Sequence, residues 1–203
     1  MSKIKLITLA AGISLAAMSL NSGVAMAADG ATLYYTKTYQ NQTCATCHGI
    51  DAKTPLIPFY PKLAGQNKEY AIQQMKDIKS GKRNNGLSAV MKPIMDSVND
   101  AEIVAIAEWL ASLSGDEAGN IDAKGAGLYQ TKTCFVCHGA DAKTPLKPFY
   151  SKIAGQNKAY VLQQMKDIKS GARHNGLSVV MKGIMNIVND TEMEIIAGWL
   201  AGQ

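Results

Sequence analysis

Two short stretches hold every cysteine of the chain: TCATCHGIDAKTP from Thr43 and TCFVCHGADAKTP from Thr133. Each sets two thiols three positions apart beside an imidazole, as Cys44, Cys47 and His48 and again as Cys134, Cys137 and His138. Three chemistries use such a set. A redox-active disulfide of the CxxC type goes with a βαβ pattern, and no alternating strand pattern is present. Zinc takes four thiolates, or two with histidines, at characteristic spacings. Here the pairs stand 90 positions apart in separate repeats, with no further ligand at a usual spacing. The third chemistry is covalent attachment of haem, for which C-x-x-C-H is the signature. Two thiols on one helical turn reach the two vinyl groups on one porphyrin edge, and the next residue holds its imidazole under the iron.

The elements that must position these residues are written twice. Residues 44–113 align with residues 134–203 at an offset of 90 without a gap, and about two-thirds of the positions are identical. Upstream, GATLYYTKT from Gly30 matches GAGLYQTKT from Gly125, with five extra residues before Cys44. The tract between the copies is rich in Gly, Asp and Ser and reads as a linker over 114–124. Two domains follow, 28–113 and 125–203, each small enough to need help from a metal, disulfide or cofactor. Within each unit the periodicity is helical, so the fold class is all-α. NDAEIVAIAEWLASL opens with Asn99 and Glu102 in a capping-box pattern and continues with Ile103, Ile106, Ala107 and Leu110 on one face. NKEYAIQQMKDIKSG spaces Tyr70, Gln74, Met75 and Ile78 helically and stops at Gly81. A short helix around Leu33 or Leu128 leads into each CxxCH. A long loop follows it, with Pro55, Pro58 and Pro61 and later Pro93 in the first copy.

Residues 1–27 carry Lys3 and Lys5, an apolar run from Leu6 to Leu20, and Ala25-Met26-Ala27 as a small-residue cleavage site. That order is a secretory signal peptide; the run is shorter than the ~20 residues a spanning helix needs. The mature chain is expected to begin near Ala28, in the periplasm. Without the two lysines of the signal, 19 basic face 16 acidic side chains, a balance of +3. No basic block points to nucleic acid. An oxidising compartment would ordinarily pair four cysteines as two disulfides, and haem attachment consumes the same sulfurs.

A second ligand required by both sites must occur in both copies. His174 fails, because Asn84 takes its place in the first unit, and it reads as a solvated loop histidine. Three methionine pairs pass: Met75/Met165, Met91/Met181 and Met95/Met185. Met75 and Met165 lie on an apolar helical face and read as core. Met91 and Met181 read as loop residues between GLS and the final helix, where a thioether can swing over the iron.

The residues CHG-D, then PKLAGQ from Pro61, Q-x-x-D-I-K-x-G, G-x-R-x-N, and M-K-P-I before V-N-D-A-E resemble the class I c-type cytochromes. The tandem, over essentially the whole mature chain, is similar to the dihaem cytochrome c4 family. The resemblance implies two tandem haem domains related by a pseudo-twofold axis, and two covalently bound haem c groups. It further implies thioethers at Cys44, Cys47, Cys134 and Cys137, and iron ligands His48, Met91, His138 and Met181. Met91 precedes Val98, and Met181 precedes Val188, by the family's spacing; Met95 and Met185 are the runners-up. It also implies a proline carbonyl at Pro61 that accepts from the proximal histidine and fixes its orientation. Ser151 stands at that place in the second unit, and Gly183 replaces Pro93.

The function so implied is an electron carrier rather than an enzyme. Its partners are redox proteins: a quinol-oxidising complex or dehydrogenase as donor, and a terminal oxidase or reductase as acceptor. Loose association with a membrane surface is compatible with it. The alternative is a dihaem subunit of a larger oxidoreductase, such as a flavocytochrome c sulfide dehydrogenase. Lys37, Lys53, Lys132, Lys143 and Lys147 near the motifs form either a solvated face or a steering surface for acidic partners. Trp109 and Trp199 are expected to pack the terminal helices with Tyr34 and Tyr129. The two replacements in the second unit predict haems of unequal potential. A redox titration is expected to resolve two one-electron steps, and one indistinguishable pair contradicts this.

Overall fold

The computed structural model describes residues 28–115 and 122–203. The signal-peptide reading over 1–27 and most of the linker fall outside them. The described residues form ten helices and one isolated bridge, Tyr39 to Gln42, with no strand. The first half holds α1 (Gly30–Thr36), α2 (Cys44–His48), α3 (Lys68–Lys79), α4 (Ser88–Asp96) and α5 (Asp100–Ser112). The second repeats them as α6 (Ala123–Thr131), α7 (Phe135–His138), α8 (Lys158–Ser170), α9 (Ser178–Asn186) and α10 (Asp190–Ala201). Helix α6 therefore begins inside the tract read as linker, with Asp122 accepting from the Lys124 amide at its start.

Local signals fix most helix ends. The capping box forms in both copies: Asn99 accepts from the Glu102 amide at 3.0 Å and Glu102 accepts from the Asn99 amide at 2.8 Å, and Asn189 and Glu192 do the same. Helix α8 ends on Gly171 at φ 88. Helices α4 and α9 depart from expectation. The stretches holding Met91 and Met181, read as loops, are nine-residue helices, and Pro93 lies inside α4 instead of in a loop. A helix that short shows little periodicity, and an internal proline reads as a breaker.

Each half builds its own core. Helix α1 packs on α5 and α3 lies between α4 and α5; α6 on α10 and α8 between α9 and α10 repeat the plan. Tyr34 sits 4.8 Å from Trp109 and Tyr129 4.7 Å from Trp199, ring centre to ring centre, so the expected aromatic packing of the terminal helices is present. The first core gathers Leu33, Val98, Ile103, Ile106 and Leu110, and the second Val161, Val188, Met193, Ile196 and Leu200. The helices touch closely at Gly30 and Gly125: an added Cβ would lie 2.0 Å from the Ala105 carbonyl oxygen in the first case and 2.3 Å from Trp199 Cβ in the second.

Gly125 and Gly127 share helix α6, and a Cβ at Gly127 would meet nothing within 4 Å. Gly125→Ala is therefore expected to cost about 1–3 kcal/mol by overpacking. Gly127→Ala is expected to gain about 0.5–1 kcal/mol by stiffening the helix. Urea unfolding of the haem-loaded protein reads both; equal effects would contradict this packing.

Candidate functional site

In each half the CxxCH turn lies under a cavity. His48 and His138 are 4% and 8% exposed, on the helices that carry the cysteines. His48 Nδ1 lies 3.0 Å from the Pro61 carbonyl oxygen and His138 Nδ1 lies 2.9 Å from that of Ser151. A carbonyl only accepts, so Nδ1 carries the proton in both rings and Nε2 keeps its lone pair. Burial holds both imidazoles below their ordinary pKa, opposed by the bond to the carbonyl. Both are neutral at pH 7, the form that binds a metal. The bond persists at Ser151, because a main-chain acceptor does not require proline.

The loop after each histidine is pinned. Gly49 and Gly139 turn the chain at φ 84 and φ 81, where a Cβ would also press on the Thr54 or Thr144 carbonyl. Asp51 accepts from the Lys53 and Thr54 amides and the Thr54 hydroxyl, which pulls its carboxyl down to about 2. The Ala52 carbonyl then accepts from the Leu63 and Ala64 amides, and Ala142 accepts from Ile153 and Ala154. These bonds carry the acceptor carbonyl over the imidazole.

No cysteine is paired in a disulfide. Burial pushes the Cys44 and Cys134 thiols up to about 11, so they are neutral in the free-thiol form. Among the described residues no group of three or more His, Cys, Asp and Glu is arranged to hold a metal ion, which leaves the zinc reading without a site. Instead the two CxxCH turns open into one continuous cavity of about 1390 Å³ that runs through both halves. All four cysteines, both histidines and the pairs Met75/Met165, Met91/Met181 and Met95/Met185 line it. Met91 and Met181 are partly buried beside the core clusters, whereas Met95 and Met185, 3% and 1% exposed, are members of them. The lining also includes Gln42, at the end of the five-residue insertion of the first half, a cover the second half lacks. His174 is exposed and outside the lining.

The wall between the halves is polar and reciprocal. Gln66 Nε2 donates to the Lys152 carbonyl and its Oε1 accepts from the Lys152 amide, each at 2.9 Å; Gln156 binds Lys62 in the same two ways. Asn67 Nδ2 donates to the Tyr150 carbonyl and Asn157 to that of Tyr60. Deeper in, Arg83 donates to the Tyr160 hydroxyl and Gln164, and Arg173 to the Tyr70 hydroxyl and Gln74. Asn85 Nδ2 donates to Asp167 at 2.6 Å and Asn175 to Asp77 at 2.7 Å. Every partner is exchanged at an offset of 90, the mark of a pseudo-twofold axis. Tyr70 and Gln74, read as one helical face with Met75 and Ile78, thus belong to the interface. The available signal was that these two polar residues repeat unchanged, as Tyr160 and Gln164, while Ala71 and Ile72 become Val161 and Leu162.

A large apolar cavity with two thiols, a neutral imidazole and thioethers in each half fits haem. So does Arg83 Nε, a donor buried without a partner in the wall, to which a group bearing carboxylates supplies an acceptor.

The cytochrome c family model matches residues 27–114 and again residues 123–202, and the chain belongs to that family. Cytochrome c4 of Stutzerimonas stutzeri is 28% identical over 78% of this chain and 83% of its own. The thiosulfate dehydrogenase electron acceptor of Stutzerimonas stutzeri strain A1501 is 30% identical over 94% and 92%. The structure of reduced cytochrome c4 from Pseudomonas stutzeri superposes with a TM-score of 0.69 at 26% identity, covering 78% of this chain and 92% of its own. The chain is a dihaem electron-transfer cytochrome of the cytochrome c4 kind, with two covalently bound haem c groups.

The reciprocity of the wall has a measurable consequence. Asn85→Ala and Asn175→Ala each remove a buried donor to a carboxyl group and should each cost about 1.5–3 kcal/mol. Urea midpoints of the two variants are expected to agree to within about 0.5 kcal/mol; a wide gap would mean that the interface is not symmetric.

Proposed function

We propose that the protein is a periplasmic electron carrier with two His/Met-ligated haems. Cys44, Cys47, Cys134 and Cys137 form the thioethers. His48 and Met91 ligate the first iron and His138 and Met181 the second. The observation that carries this reading is the pair of buried imidazoles whose Nδ1 atoms are committed to carbonyls. Each has one ligating nitrogen left, in a cavity with a thioether available.

Haem supplies a one-electron Fe(II)/Fe(III) couple; the chain's residues decide how it is used. A histidine donating from Nδ1 is a more basic and more rigid ligand. Methionine is a soft ligand that favours Fe(II) and raises the potential. With His48 and Met91 holding one iron and His138 and Met181 the other, neither would keep a site for oxygen or substrate, and Ile78, Ile106, Ile168 and Leu200 would give the haems apolar surroundings. Those properties suit transfer without binding. Met91 and Met181 are preferred to Met95 and Met185 because the latter pair is locked in the cores.

The donor is proposed to be a periplasmic dehydrogenase or quinol-oxidising complex and the acceptor a terminal oxidase or reductase. Relatives that accept electrons from thiosulfate dehydrogenase support a dehydrogenase donor. They also keep a second arrangement in play, tight association as the dihaem subunit of such an enzyme. Gel filtration from the native source separates the two: a monomer fits the carrier, and co-elution with an enzyme fits the subunit. Among the described residues no helix is long and apolar enough to cross a membrane.

Ligation is tested by substitution. The reduced Met91→Ala protein is expected to bind one carbon monoxide per molecule at neutral pH, and Met91→Ala/Met181→Ala two. The wild type and Met95→Ala bind none. Carbon monoxide binding by Met95→Ala alone would transfer the ligand role to Met95.

A further inference from the structure

Five lysines near the motifs were candidates for steering an acidic partner, and the structure separates them. Lys37 is held by Glu102 at 2.6 Å and Lys132 by Glu192 at 2.9 Å, so their charges are compensated locally. Lys53 and Lys143 instead line an open groove of about 660 Å³ at the seam between the halves, together with Lys62 and Lys152. No Asp or Glu lines it among the described residues. The four are two pseudo-twofold pairs, Lys53/Lys143 and Lys62/Lys152, unchanged between repeats that differ at about one-third of their positions. They exceed the +3 balance of residues 28–203, so the rest of that chain sums to −1. The rest of the lining mixes Ala64, Leu113 and Ala154 with Gln66, Gln156 and Ser114.

The groove also lies against the haem cavity. Lys62, Gln66, Lys152 and Gln156 line both. Lys62 follows Pro61 and Lys152 follows Ser151, whose carbonyls accept from the two imidazoles. The groove is therefore one peptide away from each histidine's hydrogen bond, and the pseudo-twofold axis makes the two routes equivalent.

We propose that this seam groove is the docking surface for an acidic redox protein, whose carboxylates meet Lys53, Lys143 and Lys152. The proposal rests on the carrier reading above. The volume is far larger than one inorganic oxyanion needs, and lysines around a mixed polar and apolar lining suit a weak, fast encounter. Bound there, the donor passes one electron at a time. Each ferric haem is reduced by one electron while one donor molecule is oxidised by one, with no bond or proton exchanged. Neither half is favoured by the docking itself.

The test uses the haem-loaded full chain in stopped-flow reduction by flavodoxin hydroquinone, an acidic one-electron donor. Lys53→Glu/Lys143→Glu reverses two groove charges without touching the lining of the haem cavity. Lys82→Glu/Lys166→Glu makes the same change in net charge on exposed residues outside the groove. At low ionic strength the groove variant is expected to lose at least tenfold in second-order rate, within the ~10–10³ range of electrostatic steering. The control should stay within about twofold, and Lys53→Gln/Lys143→Gln should fall between. Salt should slow the wild type steeply and the groove variant little. Equal losses in groove and control variants would reduce the effect to net charge and overturn the proposal. Unchanged rates in both would overturn it too, with the carrier reading intact. Inhibition of the wild type by sulfate at constant ionic strength, with no loss in the groove variant, would mark an inorganic anion site only and also overturn it. A wild type that flavodoxin cannot reduce would overturn the carrier reading along with it.

Discussion

A buried imidazole that donates from Nδ1 to a main-chain carbonyl has one nitrogen left, and the rest of this molecule is arranged around what that nitrogen faces. The bond fixes the tautomer, the ring plane and the neutral state together. It needs the carbonyl of Pro61 or Ser151 in one place, which in turn needs the turn at Gly49 or Gly139, the Asp51 or Asp141 cap, and the two amides received by Ala52 or Ala142. A histidine free to rotate could still bind iron, but it would reorganise at every change of charge. Rigidity at this bond limits reorganisation, and a thioether on the opposite side is what would separate an electron carrier from a site that opens to ligands.

The second constraint is the seam. Burying Asp77, Asp167, Arg83 and Arg173 costs free energy unless each finds partners, and each takes at least one partner from the other half. Neither half satisfies these groups by itself, so the polar wall specifies one relative orientation where an apolar patch would tolerate several. The same wall carries the backbone of Lys62 and Lys152, and so ties the histidine acceptors of the two halves to each other. One cavity is lined from both halves across that seam.

Much of this was legible in the residues. The doubled CxxCH, the gapless repeat, the capping boxes at Asn99 and Asn189 and the aromatic pairs at Trp109 and Trp199 are local signals, and local structure obeyed them. The acceptor at Pro61 was also legible, through the resemblance. What escaped has physical reasons. Helices α4 and α9 are too short to display a period, and Pro93 imitates a break. Tyr70 and Gln74 sit at helical spacing with Met75 and Ile78, and nothing local tells a core from an interface where a second domain buries polar groups. The bond survives the exchange of Pro61 for Ser151 because the acceptor belongs to the backbone, which every residue offers. What asymmetry there is lies elsewhere, at Pro93 against Gly183 and in the insertion that brings Gln42 to the first cavity.

The central claim is that each half holds its iron between an imidazole and a thioether. Proton NMR of the fully reduced protein tests it most directly, because a methionine methyl placed over a haem is shifted far upfield by the ring current. Two such three-proton resonances, one from each half, are the predicted result. A spectrum with one or none would contradict His/Met ligation in both halves.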